Sequence, residues 1–298
     1  MNKTVKLFKQ TINIGGSFLP ADFPYFDGVF ISSLLDLDFY GRIVAVYEGI
    51  TKRKLDKKNF EGIKNAQYPA SVVSVDDGLN LLELFDGSVA DYSDYIFDKS
   101  DLLGEISSII AVFFSAYCDL IESGQLDVGQ KFNVALTQSD ANFLLALFIA
   151  KKIGLPIGVI TVATLKPVNV KIKDCFFSSF NENEIDDVIS EFFEEYDYPL
   201  DVVSAESFIP LVEYVNSYDD ERLFLMPALI SPYKFTRKVL KAITNKNELS
   251  IDKAERLLYN ETAMEIPLCI ENNKDLKFYA KRKSLAFQDV LQIIKQCI

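Results

Sequence analysis

The chain has 298 residues, of which 49% are apolar and 25% charged, so it can bury a large core and is not a disordered polymer. Its 43 acidic and 31 basic residues give a formal net charge of −12, which opposes binding to nucleic-acid phosphates and anionic lipids. The sequence contains no histidine, which excludes histidine-dependent catalytic triads, histidine general bases and zinc sites built on imidazole.

The N-terminal segment lacks the uninterrupted apolar run of a signal peptide, and no stretch reaches the roughly 18 consecutive apolar residues of a membrane span. The cysteines lie far apart in the sequence and form no C-x-x-C pair, which indicates isolated thiols rather than a metal site or a disulfide framework. These cysteines are Cys118, Cys175, Cys269 and Cys297. We therefore expect an acidic protein of the cytoplasm.

The middle of the chain has the clearest periodicity. Residues 102–121 are apolar on nearly all sides and contain no proline, and they follow two residues that favour a helix N-cap, Ser100 and Asp101. This pattern predicts a long buried helix. The short apolar run at 132–138 has the length of a buried strand.

A second helix is predicted over residues 140–153, ending at Gly154 as the C′ residue with Pro156 soon after. Residues 159–164 are β-branched and continuous, as expected for a strand that is buried on both faces. Strand, helix and strand at this spacing predict a right-handed βαβ unit in a parallel sheet.

Charge is distributed unevenly along the second half of the chain. Residues 174–221 contain fifteen acids and no Lys or Arg, whereas residues 222–298 contain fourteen bases and eight acids. The favoured interpretation is a solvated acidic helix that a basic C-terminal layer neutralises. The alternative is a docking surface for a cationic partner protein.

Four stretches, in chain order, resemble threonine synthase, a pyridoxal-phosphate (PLP) enzyme of the tryptophan-synthase-β fold type, also called fold type II. They are GGSFLPADFPYFD at 15–27, LNLLELFDGSVADYSD at 79–94, the predicted βαβ unit at 132–164 with its AKKIGLP, and SPYKF at 231–235. The resemblance implies an α/β fold with a mainly parallel sheet flanked by helices. It also implies the PLP-dependent conversion of O-phosphohomoserine to threonine, a carbon–oxygen lyase reaction.

The lysine that holds PLP as a Schiff base in the family's LELFHGPTLAFKD aligns, without gaps, with Ser93. A hydroxyl cannot form an imine with an aldehyde, and the family's chemistry starts from that imine. We therefore expect that this chain has no catalytic residue at the family position.

The family's phosphate-binding loop, P-S-G-N-F-G-D, also differs here. Glycines let the backbone N–H groups of such a loop approach the phosphate at a helix N-terminus, and both glycines are replaced. We expect Asp140 to place a carboxylate where the phosphate would sit, so that PLP is not bound. No metal is expected either, because the sequence has no histidine and no C-x-x-C pair. The residues of this degenerate loop are Thr137, Gln138, Ser139, Asp140, Ala141 and Asn142.

The family has a smaller domain between its cofactor lysine and the long helix, whereas only residues 95–101 bridge that position here. We therefore predict one α/β domain over residues 1–298, a remnant of the family's large domain with the small domain deleted. It comprises a threonine synthase-like segment at 1–94 and the remainder of the large domain at 102–298. Two histidines of family motifs align with Phe208 and Ser231.

These departures predict a truncated pseudoenzyme that has lost PLP binding and lyase activity. It would act as a non-catalytic binding or interaction protein, with the face left by the missing domain holding a second copy or a partner protein. The alternative is a residual or altered PLP lyase that uses a relocated lysine, such as Lys99, or a complementing subunit. A hard-metal site at Asp91, Asp94 and Asp98 is less favoured, because acids in loops are commonly only solvated.

Overall fold

The computed structural model describes residues 3–14, 16–55, 70–85, 98, 100–247, 250–267, 270 and 285–296. The strands are β1 (Thr4–Lys6), β2 (Ile12–Ile14), β3 (Ser17–Leu19), β4 (Asp22–Pro24), β5 (Ser71–Asp76), β6 (Leu79–Glu83), β7 (Phe132–Thr137), β8 (Ile157–Thr164), β9 (Cys175–Ser179) and β10 (Phe224–Ala228). The helices are α1 (Gly28–Leu34), α2 (Phe39–Thr51), α3 (Leu102–Glu122), α4 (Ala141–Lys152), α5 (Ile185–Tyr196), α6 (Val202–Ser217), α7 (Thr236–Thr244), α8 (Ile251–Thr262) and α9 (Phe287–Lys295).

The central sheet has six strands in the order β5-β6-β10-β7-β8-β9. Strands β6, β10, β7, β8 and β9 are parallel, and β5 pairs antiparallel with β6 at one edge. Strand β7 pairs with β8 in the register Val134 to Ile160, and α4 connects them. The predicted mainly parallel α/β fold and its parallel β7-α4-β8 unit are therefore confirmed.

Helices cover both faces of the sheet, which explains why the central strands are apolar on both sides. One hydrophobic cluster contains buried residues of α2, α3, α4 and α9, and a second contains residues of α5, α6, α7 and α8. The resulting arrangement is three layers, with helices above and below one sheet.

Helix α3 is the predicted long buried helix, and Asp101 is its N-cap. The Asp101 side chain accepts a hydrogen bond of 2.8 Å from the backbone N–H of Gly104. By length and composition this helix could cross a membrane, but 83% of its most apolar window is buried inside the fold. Such burial is typical of the core helix of a soluble protein.

The N-terminal segment packs against the end of α4, so two of the family-like stretches lie together. The backbone N–H of Phe26 donates to the carbonyl of Ile153 at 2.7 Å. Gly154, which follows, has a positive φ of 121°, and a Cβ atom there would overlap the carbonyl oxygen of Phe26. Glycine at this position therefore serves both the backbone conformation and the close approach.

The predicted acidic and basic regions meet between α5 and α7. Lys238 and Lys241 on α7 lie 3.4 Å and 3.9 Å from the carboxylate oxygens of Asp186 on α5. The basic helix therefore neutralises the side of α5 that it contacts, as the favoured interpretation predicts for this side.

Candidate functional site

The candidate site lies at the carboxyl ends of the parallel strands, where the strand order reverses. The chain proceeds outward through β7, β8 and β9 and then returns in β10 to lie between β6 and β7. Ligands of open α/β sheets bind beyond the carboxyl ends of the strands at such a reversal. The loop that follows Thr137, at the end of β7, and the end of β6 at Glu83 are the elements at this edge.

The degenerate loop has its hydroxyl groups hydrogen-bonded to a carboxylate from α6. Oγ1 of Thr137 donates to Oε2 of Glu206 at 2.7 Å, and Oγ of Ser139 donates to the same oxygen at 3.2 Å. Burial raises the pKa of Glu206, and these two hydrogen bonds oppose the increase. The hydroxyl groups of the loop therefore bind the carboxylate of Glu206, an anionic group of the protein itself.

The start of α4 differs from the sequence prediction. Gln138, Ser139 and Asp140 form a 3-10 turn before α4, which begins at the buried Ala141. Thr137 caps this turn, because its Oγ1 accepts from the N–H of Ser139 at 3.4 Å. The side chain of Asp140 lies outside the description, so its predicted place at the phosphate position stays a prediction.

The position of the family's second glycine carries a side chain that joins three parts of the fold. Nδ2 of the buried Asn142 donates to Oε1 of Glu105 on α3 at 2.9 Å. Oδ1 of Asn142 accepts from the backbone N–H of Leu285 at 3.1 Å. Asn142 is therefore a structural contact between α4, α3 and the segment before α9.

Two further acids near this edge were not predicted as site residues. Oε1 of Glu83 accepts from the hydroxyl of Tyr198 at 2.8 Å, and burial raises the pKa of Glu83. Asp201 is buried and caps α6 by accepting from the N–H groups of Val203 and Ser204. An aspartate directly before an apolar helix was the one sequence signal for this cap.

These contacts do not fit a bound phosphate group. A phosphate dianion at the loop would meet the carboxylate of Glu206, and like charges about 4 Å apart repel by roughly 4 kcal/mol at an effective dielectric constant near 20. The hydroxyl donors of Thr137 and Ser139 would also have to leave that carboxylate. A carboxylate in a hydrogen-bonded and partly buried position is therefore the group that this loop accommodates.

The carboxylate of Asp98 is held by hydrogen bonds within the protein, so its position is explained without a bound metal ion. Its carboxylate accepts from the hydroxyl of Tyr47 and from the N–H of Ser100, the latter at 2.9 Å, and Arg53 lies 3.6 Å away. Within the described ranges, no group of three or more acidic, cysteine or histidine side chains could hold a metal ion.

The structure describes two of the other predicted positions, Phe208 and Ser231. Ser93, Lys99, Asp91 and Asp94 lie outside the described residues. Phe208 packs its ring against Phe192 on α5 with the centroids 4.9 Å apart. Buried Ser231 accepts at its Oγ from the N–H of Tyr233 at 3.3 Å and so caps a short 3-10 turn. Both described positions therefore have packing or capping roles in the fold.

The fold and this edge define a three-layer α/β protein with a candidate ligand-binding region at a strand-order reversal. No protein-family model and no curated protein matches the sequence. Solved structures do match, and the chain has a threonine synthase-like fold.

Three of these structures are threonine synthases, at 12–14% sequence identity to this chain. The Escherichia coli enzyme matches with a TM-score of 0.62 and 14% identity, over 81% of this chain and 88% of that chain. The PLP-bound enzyme from Brucella melitensis matches with a TM-score of 0.61 and 12% identity, over 85% of this chain and 90% of that chain. The yeast enzyme matches with a TM-score of 0.65 and 12% identity, over 87% of this chain and 91% of that chain.

The buried carboxyl of Asp201 gives a testable pH dependence. Burial raises its pKa from 3.8 to about 6, so the folded state binds more protons than the unfolded state between these values. Stability therefore falls as the pH rises through about 4 to 6. The variant Asp201→Asn keeps an N-cap oxygen but cannot ionise, and we expect it to be more stable than the wild type at neutral pH, by at most about 3 kcal/mol.

Urea unfolding at about pH 4 and pH 7.5 measures this effect, and the advantage of the variant should disappear at the lower pH. Asp38→Asn is the matched control, because Asp38 is an exposed N-cap aspartate that accepts from the N–H of Gly41 at 2.8 Å. It should change stability by less than about 1 kcal/mol at both pH values. An Asp201→Asn variant that is less stable at both pH values would contradict the explanation.

Proposed function

We propose that this protein is a threonine synthase-fold protein that has lost PLP binding and lyase activity and acts as a non-catalytic binding protein of the cytoplasm. The observation that carries the proposal is the pair of hydrogen bonds from Thr137 and Ser139 to the carboxylate of Glu206, at the loop that aligns with the family's phosphate loop. This loop accommodates a carboxylate of the protein where the family motif accommodates a phosphate.

Two independent features of the chain support the same conclusion. Ser93, at the aligned lysine position, offers a hydroxyl that cannot form an imine. Glu206 places a negative charge at the aligned phosphate loop, and Asn142 fills the position of a glycine with a side chain that is fixed by Glu105. Covalent attachment and phosphate binding are thus both disfavoured, for different physical reasons.

The competing function is a PLP lyase with a relocated lysine or with a lysine from another subunit. It requires a phosphate site other than the loop bound to Glu206, or a rearrangement that removes this carboxylate. No contact among the described residues favours such a rearrangement, so we retain it only as the alternative outcome of the test.

The test is incubation of the purified protein with equimolar PLP, followed by borohydride reduction and peptide mass spectrometry. We expect no adduct on any single lysine at one equivalent, and no threonine or phosphate release when O-phosphohomoserine is supplied. Excess free lysine in the same reaction is the control, because it competes with exposed surface lysines for PLP. A stoichiometric adduct on one lysine that persists under this competition would overturn the proposal.

Two variants separate the loss of the imine-forming amine from the loss of phosphate binding. They are the single variant Ser93→Lys and the double variant Ser93→Lys with Glu206→Gln. If both matter, restoring the amine alone should give a weak adduct, and neutralising Glu206 as well should strengthen it about tenfold or more, because the charge repulsion is removed. Equal adduct formation by the two variants would remove Glu206 from the explanation.

A further inference from the structure

A groove of about 790 Å³ runs along the surface between α5 and α6, on the helical layer that covers one face of the sheet. A second depression of about 330 Å³ continues from it on the other side of α6 and shares Tyr196, Phe208, Val212 and Asn216 with it. The groove is therefore part of a longer open surface.

The floor of the groove is apolar. Phe192 and Phe208 meet edge to face at the junction of α5 and α6. Val212, which lines the groove, is 39% exposed, and Val215, which lines the second depression, is 46% exposed. Exposed apolar side chains that line up along one helix, next to a groove, are typical of a surface that a partner covers.

The rim of the groove is acidic. Five of the lining side chains are carboxylates and none is a Lys or Arg; the carboxylates are Glu184, Asp187, Glu191, Glu195 and Glu213. The basic helix α7 contacts α5 at Asp186, which is not among the groove's lining residues. Among the residues that the structure describes, no Lys or Arg forms an ion pair with any of these five carboxylates.

We propose that this groove binds a cationic amphipathic α-helix of another protein. The inference rests on the proposed function, because it names the class of partner that a non-catalytic binding protein of this fold would take. The apolar face of such a helix covers the floor, and its Lys and Arg side chains extend to the acidic rim. Helix α5 has 12 residues, which is roughly 18 Å of groove wall or about three turns of a docked helix.

Charge favours this occupant over the other classes. Nucleic acids and anionic membranes carry the same sign of charge as the rim and would be repelled. A second copy that docked groove to groove would bring two sets of five carboxylates together. A basic helix is the occupant that uses both the apolar floor and the acidic rim.

The probe is a fluorescein-labelled amphipathic peptide of about 18 residues with leucines on one face and lysines on the other, titrated by fluorescence anisotropy. A scrambled peptide of the same composition is the control for non-specific attraction to an acidic protein. We expect the amphipathic peptide to bind the full chain at least tenfold more tightly than the scrambled one. Equal affinities, or no binding of either peptide, would overturn the inference.

Variants at the groove locate the binding. Asp187→Lys combined with Glu191→Lys should weaken the peptide's affinity at least tenfold, because two attractive charges become repulsive. Asp36→Lys combined with Asp289→Lys is the matched control, since both residues are exposed, lie outside the groove and change the net charge equally. A control that weakens binding as much as the groove variant would contradict the proposed site.

The apolar floor is tested separately. Val212→Ser should weaken binding about threefold, whereas Val29→Ser, at a 79% exposed valine on α1, should leave it unchanged. Equal melting temperatures of the four variants and the wild type establish that each is folded. Dimerisation of the protein alone that the Asp187→Lys and Glu191→Lys pair abolishes would assign the groove to a second copy and overturn the proposal.

The two proposals fail in different experiments. Absence of peptide binding, together with absence of a lysine adduct with PLP, would remove the groove and leave the loss of PLP chemistry in place. A persistent PLP adduct together with peptide binding would overturn the loss of PLP chemistry and leave the groove as a binding site.

Discussion

Among the glycines that the structure describes, Gly154 is expected to lose the most stability when it is replaced by alanine. Gly154 has a φ of 121°, a conformation that L-residues with a Cβ atom rarely adopt. The added Cβ would overlap the carbonyl oxygen of Phe26, which is backbone and cannot move aside as a flexible side chain would. The segment that contains Phe26 would therefore have to leave the end of α4.

We expect a loss of about 3 to 5 kcal/mol in the free energy of unfolding, from backbone strain and steric overlap together. Urea unfolding followed by circular dichroism measures it. The same change should expose the N-terminal segment to limited proteolysis, because the hydrogen bond from Phe26 to the carbonyl of Ile153 would be lost.

Gly124→Ala is the matched control for the backbone conformation alone. Gly124 also has a positive φ, 77°, but a Cβ atom there would have no neighbour within 4 Å. This variant should lose only about 1 to 2 kcal/mol. Equal losses at Gly154 and Gly124 would mean that the contact with Phe26 contributes nothing.

The Arg42→Met variant is expected to show the second large loss in the free energy of unfolding, because two carboxylates lose the cation that they contact. Arg42 is 4% exposed, and its guanidinium donates to Asp119 at 2.7 Å and to Glu122, which joins α2 to α3. Its Nε also donates to the carbonyl of Leu34 at 3.1 Å. Only Arg42 is buried, since the side chains of Asp119 and Glu122 are 33% and 47% exposed, so water compensates part of the lost attraction. We expect a loss of about 2 to 3 kcal/mol at pH 8, because two carboxylates and the carbonyl of Leu34 lose their donor.

This loss should depend on pH in a defined direction. Burial raises the pKa of Asp119 to about 6, and Arg42 opposes that increase. Without Arg42 the folded-state pKa rises further above that of the unfolded chain, so the variant loses stability as the pH increases from about 4 to 7. The difference between the wild type and the variant should therefore be smaller at pH 5 than at pH 8.

Arg53→Met is the matched control, because Arg53 lies 2.6 Å from Asp101 but its side chain is 42% exposed. Water screens this pair, so its loss should cost no more than about 1 kcal/mol. Similar losses for the two arginine variants, or a loss at Arg42 that does not change with pH, would contradict the role of burial.

The local elements between residues 102 and 164 could be predicted from the sequence. The apolar run after Asp101, the strand-length run at 132–138 and the stop at Gly154 each depend on neighbours in the chain, and the structure has them within two residues of the predicted bounds. The order of the family-like segments also predicted the mainly parallel α/β fold, because that order and spacing are preserved in one chain.

The contacts of the loop depended on the tertiary structure. The sequence predicted that Asp140 would be the carboxylate at this position, but the contact that the structure describes is from Glu206, which is 67 residues from Ser139 in the chain. Helix α6 connects β9 back to β10, and its packing against β7 brings Glu206 to the loop. Local sequence patterns span only a few residues, so they could not predict that Glu206 contacts Ser139.

The sequence by itself determined that an alcohol stands at Ser93 and that residues 137–142 contain no glycine, since these are properties of the residues alone. The tertiary structure decided what Thr137, Ser139 and Asn142 of the loop contact and where the acidic residues face. Residues 174–221 contain fifteen acids, and folding places Asp186 on the side of α5 that contacts α7 and five other acids around the groove between α5 and α6. The physical reason is that charge pairing and groove formation depend on distances in space between elements, which composition and periodicity do not fix.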